Sequence, residues 1–102
     1  MLIRRTFDTE TYRFREGCKA PELVCITLKE GGAPSSIHHW SEGLEVLRRV
    51  WAPDSLVVGQ YVAYDAAVTL ANFPQLTDLV FRAYDEGRVT DTKIREQLLD
   101  IQ

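Results

Sequence analysis

The chain has 102 residues and a mass of 11.7 kDa, which predicts one small domain over residues 1–102. Its 45% hydrophobic content excludes a wholly disordered chain, and its net charge of −3 excludes the basic excess that drives non-specific binding to phosphates. The apolar runs are too short for a membrane helix and no secretory signal is readable near Met1, so we expect a cytoplasmic protein without membrane contact.

The first part of the chain predicts an antiparallel meander of three strands, at residues 2–10, 22–28 and 33–40. The first strand has a period of two, which places Asp8 and Glu10 on the same face. Between the second and third strands, Gly31 and Gly32 supply the positive φ angles that a hairpin turn requires.

Helical periodicity governs much of the rest of the sequence. Ser41 is the expected N-cap of a helix that Pro53 ends, and a second helix of small and apolar residues is predicted over 65–73. The clearest helical pattern lies between Pro74 and Gly87.

Two short strands separate these helices. Residues 56–58 are a continuous apolar run that is typical of a strand buried on both faces, and residues 88–90 predict a last short strand. Asp91 then has the character of a cap for a final helix that carries Ile94, Leu98 and Ile101. The order of elements predicts an α/β fold with a mixed sheet, an antiparallel meander followed by parallel strands, and flanking helices.

An acidic pair in the first strand is a candidate metal site. Asp8 and Glu10 lie about 7 Å apart along one face of a strand. Mg²⁺ is commonly held by a few carboxylates, waters and substrate phosphates rather than by a closed cage of protein ligands. The alternative is that both acids belong to a solvated strand face.

A third acid, Asp65, follows the buried strand at 56–58, and we expect the dipole of the next helix to keep its carboxylate ionised. If the first and fourth strands are neighbours, the three acids converge, as a two-metal site for phosphoryl transfer requires. The alternative is that Asp65 is only an N-cap.

These motifs resemble those of a known family. The sequence FDTET at residues 7–11 resembles the first exonuclease motif of the proofreading 3′ to 5′ exonuclease domain of family A DNA polymerases, within the DEDD superfamily. The sequence VGQYVAYD at residues 58–65 resembles its second motif, and residues 90–92 with 94 and 98–100 resemble the helix that follows. The resemblance therefore spans nearly the whole chain in the correct order.

The resemblance implies a ribonuclease H-like fold that hydrolyses a terminal phosphodiester of DNA with two Mg²⁺ or Mn²⁺ ions. It implies that Asp8 bridges both ions, that Glu10 binds the first and approaches the terminal 3′ hydroxyl, and that Asp65 holds the second. Residues that fall where the family contacts the terminal nucleotides are Thr11, Gln60 and Tyr64. Plainer roles are also open to these three, namely a strand hydroxyl, a surface amide and a core aromatic with a wet tip.

Two departures from the family pattern limit this expectation. The family usually has Asn directly after the position of Gln60, and this chain has Tyr61. The third motif, with a water-orienting Tyr or His and a fourth carboxylate, lies well beyond the position of Asp91, and neither Asp91 nor Asp100 occupies it. We therefore expect a domain truncated at its C-terminus and only weakly active alone.

The expected partners follow from this resemblance. They are the 3′ end of single-stranded DNA and a polymerase domain or another replication protein, and a homodimer is possible through the surface that truncation would expose. The rival hypothesis is a non-catalytic exonuclease-like module that binds nucleic acid or a replication partner.

Overall fold

The computed structural model describes residues 1–11 and 22–93. These residues form a small α/β domain with one mixed five-stranded sheet and three α-helices, as the sequence predicts. In chain order the elements are β1 (Ile3–Thr11), β2 (Leu23–Glu30), β3 (Ser36–His39), α1 (Gly43–Val50), β4 (Ser55–Gly59), α2 (Val62–Asn72), α3 (Thr77–Asp85) and β5 (Val89–Asp91). Short 3-10 turns at Trp40–Glu42 and Pro74–Leu76 lead into α1 and α3.

The strand order in the sheet is β3-β2-β1-β4-β5. The first three strands pair antiparallel, and β4 lies parallel to both β1 and β5. The predicted meander followed by parallel strands is thus confirmed. Because β1 and β4 are parallel neighbours, their carboxyl ends meet at one edge of the sheet, where the loop that leads into α2 begins.

The hydrophobic core lies between one face of the sheet and the helices. Phe7, Ile26 and Val57 contribute from the sheet, and the Phe7 ring meets the fully buried Trp51 edge-on, with ring centroids 5.7 Å apart. Burying side chains of this size contributes roughly 1.5–3 kcal/mol each. On β1 the core face takes Arg5, Phe7 and Thr9, which leaves the alternate residues for the other face.

The tight turns lie where glycine was expected. Gly31 has φ +54° in the turn between β2 and β3, and Gly87 has φ +69° just after α3. Both angles favour glycine because side chains with a Cβ rarely adopt them. The third strand is shorter than the predicted 33–40, since only residues Ser36–His39 pair with β2.

The start of α1 differs from the prediction. Ser41 is not its N-cap, because the chain first makes a 3-10 turn in which the His39 side chain accepts a hydrogen bond from the Ser41 N–H. The helix begins at Gly43, where a Cβ would lie 2.8 Å from Cζ of Phe73. A residue without a side chain therefore lets α1 pass close to the ring.

The start of α2 also differs, since this helix begins at Val62 rather than at Asp65. The carboxylate of Asp91, at the end of β5, accepts hydrogen bonds from the N–H groups of Tyr61 and Val62 at 3.3 and 2.9 Å. It also accepts one from Lys93 N–H, as a cap of the following residues would. The rest of the predicted final helix, with Ile94, Leu98 and Ile101, lies outside the described residues.

Candidate active site

Two of the three candidate acids stand on the open face of the sheet. Asp8 and Glu10 are exposed, whereas Thr9 between them is buried, which confirms the predicted alternation along this strand. In the antiparallel register Asp8 lies opposite Thr27 and Glu10 lies opposite Cys25. Both carboxylates are therefore free to face solvent or a ligand.

The third acid, Asp65, lies inside the protein in α2 and is only 1% exposed. Its Oδ1 atom accepts hydrogen bonds from the Thr9 backbone N–H at 3.2 Å and from Thr9 Oγ1 at 2.5 Å. Its Oδ2 atom is buried and has no hydrogen-bond partner among the residues that the structure describes. A buried carboxylate oxygen without a partner is costly, so this atom requires an explanation.

Burial shifts the titration of the Asp65 carboxyl group toward neutral pH. Loss of solvent raises its pKa to about 6, against the two hydrogen bonds from Thr9, which lower it, and the charges of Asp8 and Asp91 raise it further. A carboxyl group with a pKa of about 6 is still mostly ionised at pH 7, but it titrates much closer to neutral pH than an ordinary carboxyl group does. The alternative N-cap role is wrong, since α2 begins three residues before Asp65.

The three acids do not converge into one cluster. Although β1 and β4 are neighbours as expected, residues 1–11 and 22–93 contain no group of three His, Cys, Asp or Glu side chains that could hold a metal ion. The reason is the orientation of Thr9, which holds Asp65 on the core side of β1 while Asp8 and Glu10 project from the opposite side. Asp8 is nevertheless close enough for its charge to act on Asp65.

The donor atoms have the chemistry that Mg²⁺ and Mn²⁺ prefer. All three candidate groups are carboxylates, hard oxygen donors suited to these ions. The unpartnered Oδ2 of Asp65 is the atom best explained by a cation, because a positive charge would supply the interaction that the protein does not.

A groove of about 310 Å³ adjoins Asp8 on the open face, and its lining includes the apolar residues Phe7 and Leu28 as well as polar groups. Gly59 and Gln60 line it from the end of β4, and Lys29 lines it from β2. Its other lining residues include Thr6, Thr27, Ser35 and Thr92. The groove is wide enough for part of a nucleotide, and its hydroxyl, amide and ammonium groups suit a phosphorylated ligand.

The predicted substrate contacts occupy two different places. Gln60 is exposed and lines the groove with Asp8. Tyr64 and Thr11 instead lie together, with 2.7 Å between the tyrosine hydroxyl and Thr11 Oγ1. This hydrogen bond ties the first turn of α2 to the last residue of β1.

Sequence reasoning missed three residues that shape this region. Thr9 positions Asp65, Asp91 holds the start of α2, and Tyr61 adopts a left-handed conformation with φ 58° and ψ 50°. For Tyr61 a signal existed, since the resembled family has Asn there and Asn tolerates this conformation. The roles of Thr9 and Asp91 depend on contacts between distant parts of the chain, and no local pattern marks them.

Comparison with known proteins identifies no relative of this chain. No family model, curated protein or solved structure matches it. Among the described residues, no helix is long and apolar enough to cross a membrane. Function is therefore inferred from the side-chain geometry and the sequence motifs.

Proposed function

We propose that this chain is a ribonuclease H-like domain of the 3′ to 5′ exonuclease type, which hydrolyses terminal phosphodiesters of DNA with two divalent metal ions. The order and direction of the strands support this proposal, since an antiparallel meander is followed by two parallel strands with β1 at the centre of the sheet. Both motif segments reach the carboxyl edge of that sheet, FDTET in β1 and VGQYVAYD from β4 into α2.

The unpartnered Oδ2 atom of Asp65 is the observation that carries the proposal. A domain of this size gains nothing in stability from a buried carboxylate with one oxygen unsatisfied. A bound cation would supply the interaction that this atom lacks, and Asp65 with Asp8 would help to hold it. The carboxylate of Asp65 is already fixed to the Thr9 backbone, so it is positioned before any ion binds.

The proposed roles follow the positions of the side chains. Asp8, Glu10 and Asp65 are the metal ligands, and the ions would supply an activated water and stabilise charge on the leaving oxygen. Gln60, in the groove beside Asp8, would contact the terminal nucleotide. Thr11 and Tyr64, joined by their hydrogen bond, would hold the start of α2 against β1 beside that nucleotide.

The proposed substrate is the 3′ end of single-stranded DNA, delivered by a polymerase domain or another replication protein. The net charge of −3 argues against tight binding through phosphates alone. Metal ions and a few hydrogen bonds or stacking contacts would then provide most of the affinity. Such modest affinity suits a site that receives a 3′ end from a polymerase domain.

One observation favours the non-catalytic alternative. The structure gathers no three potential metal ligands among residues 1–11 and 22–93, because Thr9 keeps Asp65 on the core side of β1. A module that binds nucleic acid or a protein partner without cleaving it fits this arrangement. The two functions differ in whether the protein binds divalent metal ions and cleaves DNA with them.

The deciding experiment is degradation of a 5′-labelled single-stranded DNA with Mg²⁺ and with Mn²⁺. We expect metal-dependent shortening from the 3′ end that falls at least about a hundredfold in Asp8→Ala. The matched control is Asp85→Ala, which removes an exposed carboxylate from α3 and should leave the rate unchanged.

Thermal unfolding with and without Mn²⁺ separates the alternatives. Stabilisation by Mn²⁺ that disappears in Asp8→Ala, without any shortening, would support the metal site and contradict the hydrolysis. A protein that neither shortens DNA nor gains stability from Mn²⁺ would contradict both and favour the non-catalytic module.

A further inference from the structure

An exposed aromatic residue lies next in sequence to a residue that lines the groove. Tyr61 lies in the turn between β4 and α2 and is 55% exposed. It directly follows Gly59 and Gln60, which line the groove with Asp8. The ring thus contributes little to the core, although it belongs to the segment that resembles an exonuclease motif.

The backbone of Tyr61 is strained. Its φ of 58° and ψ of 50° lie in the left-handed region, and it is the one non-glycine residue with positive φ in residues 1–11 and 22–93. Glycine or asparagine adopts this conformation at lower cost than a bulky aromatic residue. Strained residues that a structure holds in place often serve a binding site.

The surrounding structure fixes this conformation. The Asp91 carboxylate accepts hydrogen bonds from the N–H groups of Tyr61 and of Val62, and so joins the turn to the end of β5. A ring on a fixed backbone loses little entropy when a ligand stacks on it. Tyr61 therefore presents a solvent-facing ring from a fixed backbone.

We propose that Tyr61 is a stacking platform for a base near the 3′ end of single-stranded DNA. The inference rests on the proposed function. It adds a contact through which a chain of net negative charge would bind single-stranded DNA, which is also negatively charged. Stacking on an aromatic ring needs no positive charge and accepts every base, because each base has a π-face. The net charge of −3 makes such a contact more important here than in a basic domain.

The test measures binding of two labelled oligonucleotides by fluorescence anisotropy, with Ca²⁺ replacing Mg²⁺ as the oxygen-binding cation. One is oligo-dT, and the other has the same length but abasic sites at its three 3′-terminal positions. Wild type should bind oligo-dT about tenfold more tightly than the abasic strand. Tyr61→Phe should keep this preference because it keeps the ring.

Tyr61→Asn is the decisive variant. It should bind oligo-dT about tenfold more weakly than wild type does and should no longer distinguish it from the abasic strand. The same variant should unfold at a higher temperature, because Asn accepts the left-handed conformation. Weaker binding by a more stable protein excludes misfolding as the cause.

Phe81→Leu provides the matched control. Phe81 is 57% exposed on α3, none of whose residues lines the groove, whereas Tyr61 directly follows the lining residue Gln60. Loss of the Phe81 ring should therefore leave both affinities unchanged. Equal affinity and equal base preference in Tyr61→Asn and wild type would overturn the stacking platform and leave the proposed function standing. Failure of wild type to bind either strand would overturn both.

Discussion

Asp65 combines a charge, deep burial and an unsatisfied oxygen in one side chain. Its Oδ1 is held by Thr9, whereas its Oδ2 has no hydrogen-bond partner in the part of the chain that the structure describes. Burial raises its pKa to about 6. Without a bound cation this residue destabilises the folded protein near neutral pH, and such a cost is typical of a group retained for function.

The raised pKa predicts how stability depends on pH. Between the ordinary value of 3.8 and about 6, the folded protein binds more protons at Asp65 than the unfolded chain does. The contribution of this group to stability is therefore fully present below pH 3.8 and is lost as pH rises to about 6. Asp65→Asn should remove that dependence, because its amide oxygen still accepts from Thr9 and carries no charge.

We expect metal-free Asp65→Asn to be more stable than wild type by about 2–3 kcal/mol at pH 7, and nearly equal to it at pH 4. Urea unfolding of both proteins in a chelating buffer at the two values of pH measures the difference. Added Mn²⁺ should stabilise wild type and not the variant. A difference that stays constant from pH 4 to pH 7 would contradict the burial argument.

The sequence was sufficient to single out Asp65 but not to place its side chain. Motif order and the strand before it predict that this acid lies near β1. Its orientation depends on Thr9, a residue whose core-facing position is clear from the strand period but whose hydrogen bond crosses 56 residues of chain. The burial that raises the pKa of Asp65 depends on tertiary packing and had no local signal in the sequence.

At the scale of elements, the cap of α2 comes from another part of the chain. The side chain of Tyr61, the residue before the helix, forms no hydrogen bond with the N–H groups at the helix start. The Asp91 carboxylate supplies that interaction from the end of β5, and its negative charge also suits the positive end of the helix dipole. The pairing of β4 with β5 brings Asp91 there, since Gly59 lies opposite it.

Asp91→Ala should therefore destabilise the protein by about 1–2 kcal/mol, the usual cost of losing a helix cap. Asp91→Asn should lose less, because one amide oxygen still accepts part of these hydrogen bonds. Urea midpoints compare the variants with Asp85→Ala, which removes an exposed acid from α3 and should change stability by less than about 0.5 kcal/mol. Equal midpoints for Asp91→Ala and this control would show that the cap contributes nothing.

The boundaries of the elements show where sequence prediction succeeded and where it failed. Periodicity correctly gave the strands, the helices and the stops at Pro53 and Gly87. The start of α1 was displaced by one residue, because a 3-10 turn capped by His39 precedes the helix. The start of α2 was displaced by three residues, and there the distant Asp91 accepts the hydrogen bonds. Hydrophobic periodicity indicates which residues face the core. It does not indicate which polar side chain accepts a hydrogen bond from a free N–H at a helix start.

At the scale of the whole molecule, a network of buried arginine contacts and the proposed functional site occupy opposite edges of the sheet. At the amino end of β4, the Ser55 hydroxyl accepts a hydrogen bond from Arg5 at 2.6 Å, and the Ser55 carbonyl accepts one from Arg88 at 2.9 Å. Arg5 also forms ion pairs with Glu30 and Asp54. The carboxyl edge carries the acids, the groove and Tyr61.

The sheet topology was the most predictable large feature. A glycine hairpin favours antiparallel neighbours, and a helix between two strands favours a parallel crossover. The placement of the buried arginine contacts and the candidate acids at opposite edges was not predictable. In the sequence, Arg5 is indistinguishable from an ordinary polar residue of an alternating strand. Its burial depends on Asp54 and Ser55, about 50 residues away, and on the partner strand that carries Glu30.

This division predicts that Arg5→Met lowers stability without weakening the proposed metal site. The side chain of Arg5 is 8% exposed, and its loss leaves Glu30 and Asp54, both partly exposed, without their shared cation. We expect a loss of about 1–3 kcal/mol, or roughly 10 °C in Tm for a domain of this size. Arg4→Met, which changes an exposed neighbour on the same strand, should leave Tm nearly unchanged.

Acid sensitivity provides the second measurement for this variant. The hydrogen bonds from Arg5 lower the pKa values of Glu30 and Asp54, so their contribution to stability is present at neutral pH and is lost as pH falls below their ordinary values. Arg5→Met should therefore lose less stability than wild type between pH 5 and pH 3. Its affinity for Mn²⁺, measured well below its Tm, should match that of wild type, because the ligands lie at the other edge. Weaker Mn²⁺ binding in Arg5→Met than in Arg4→Met would show that the two edges are coupled through β1.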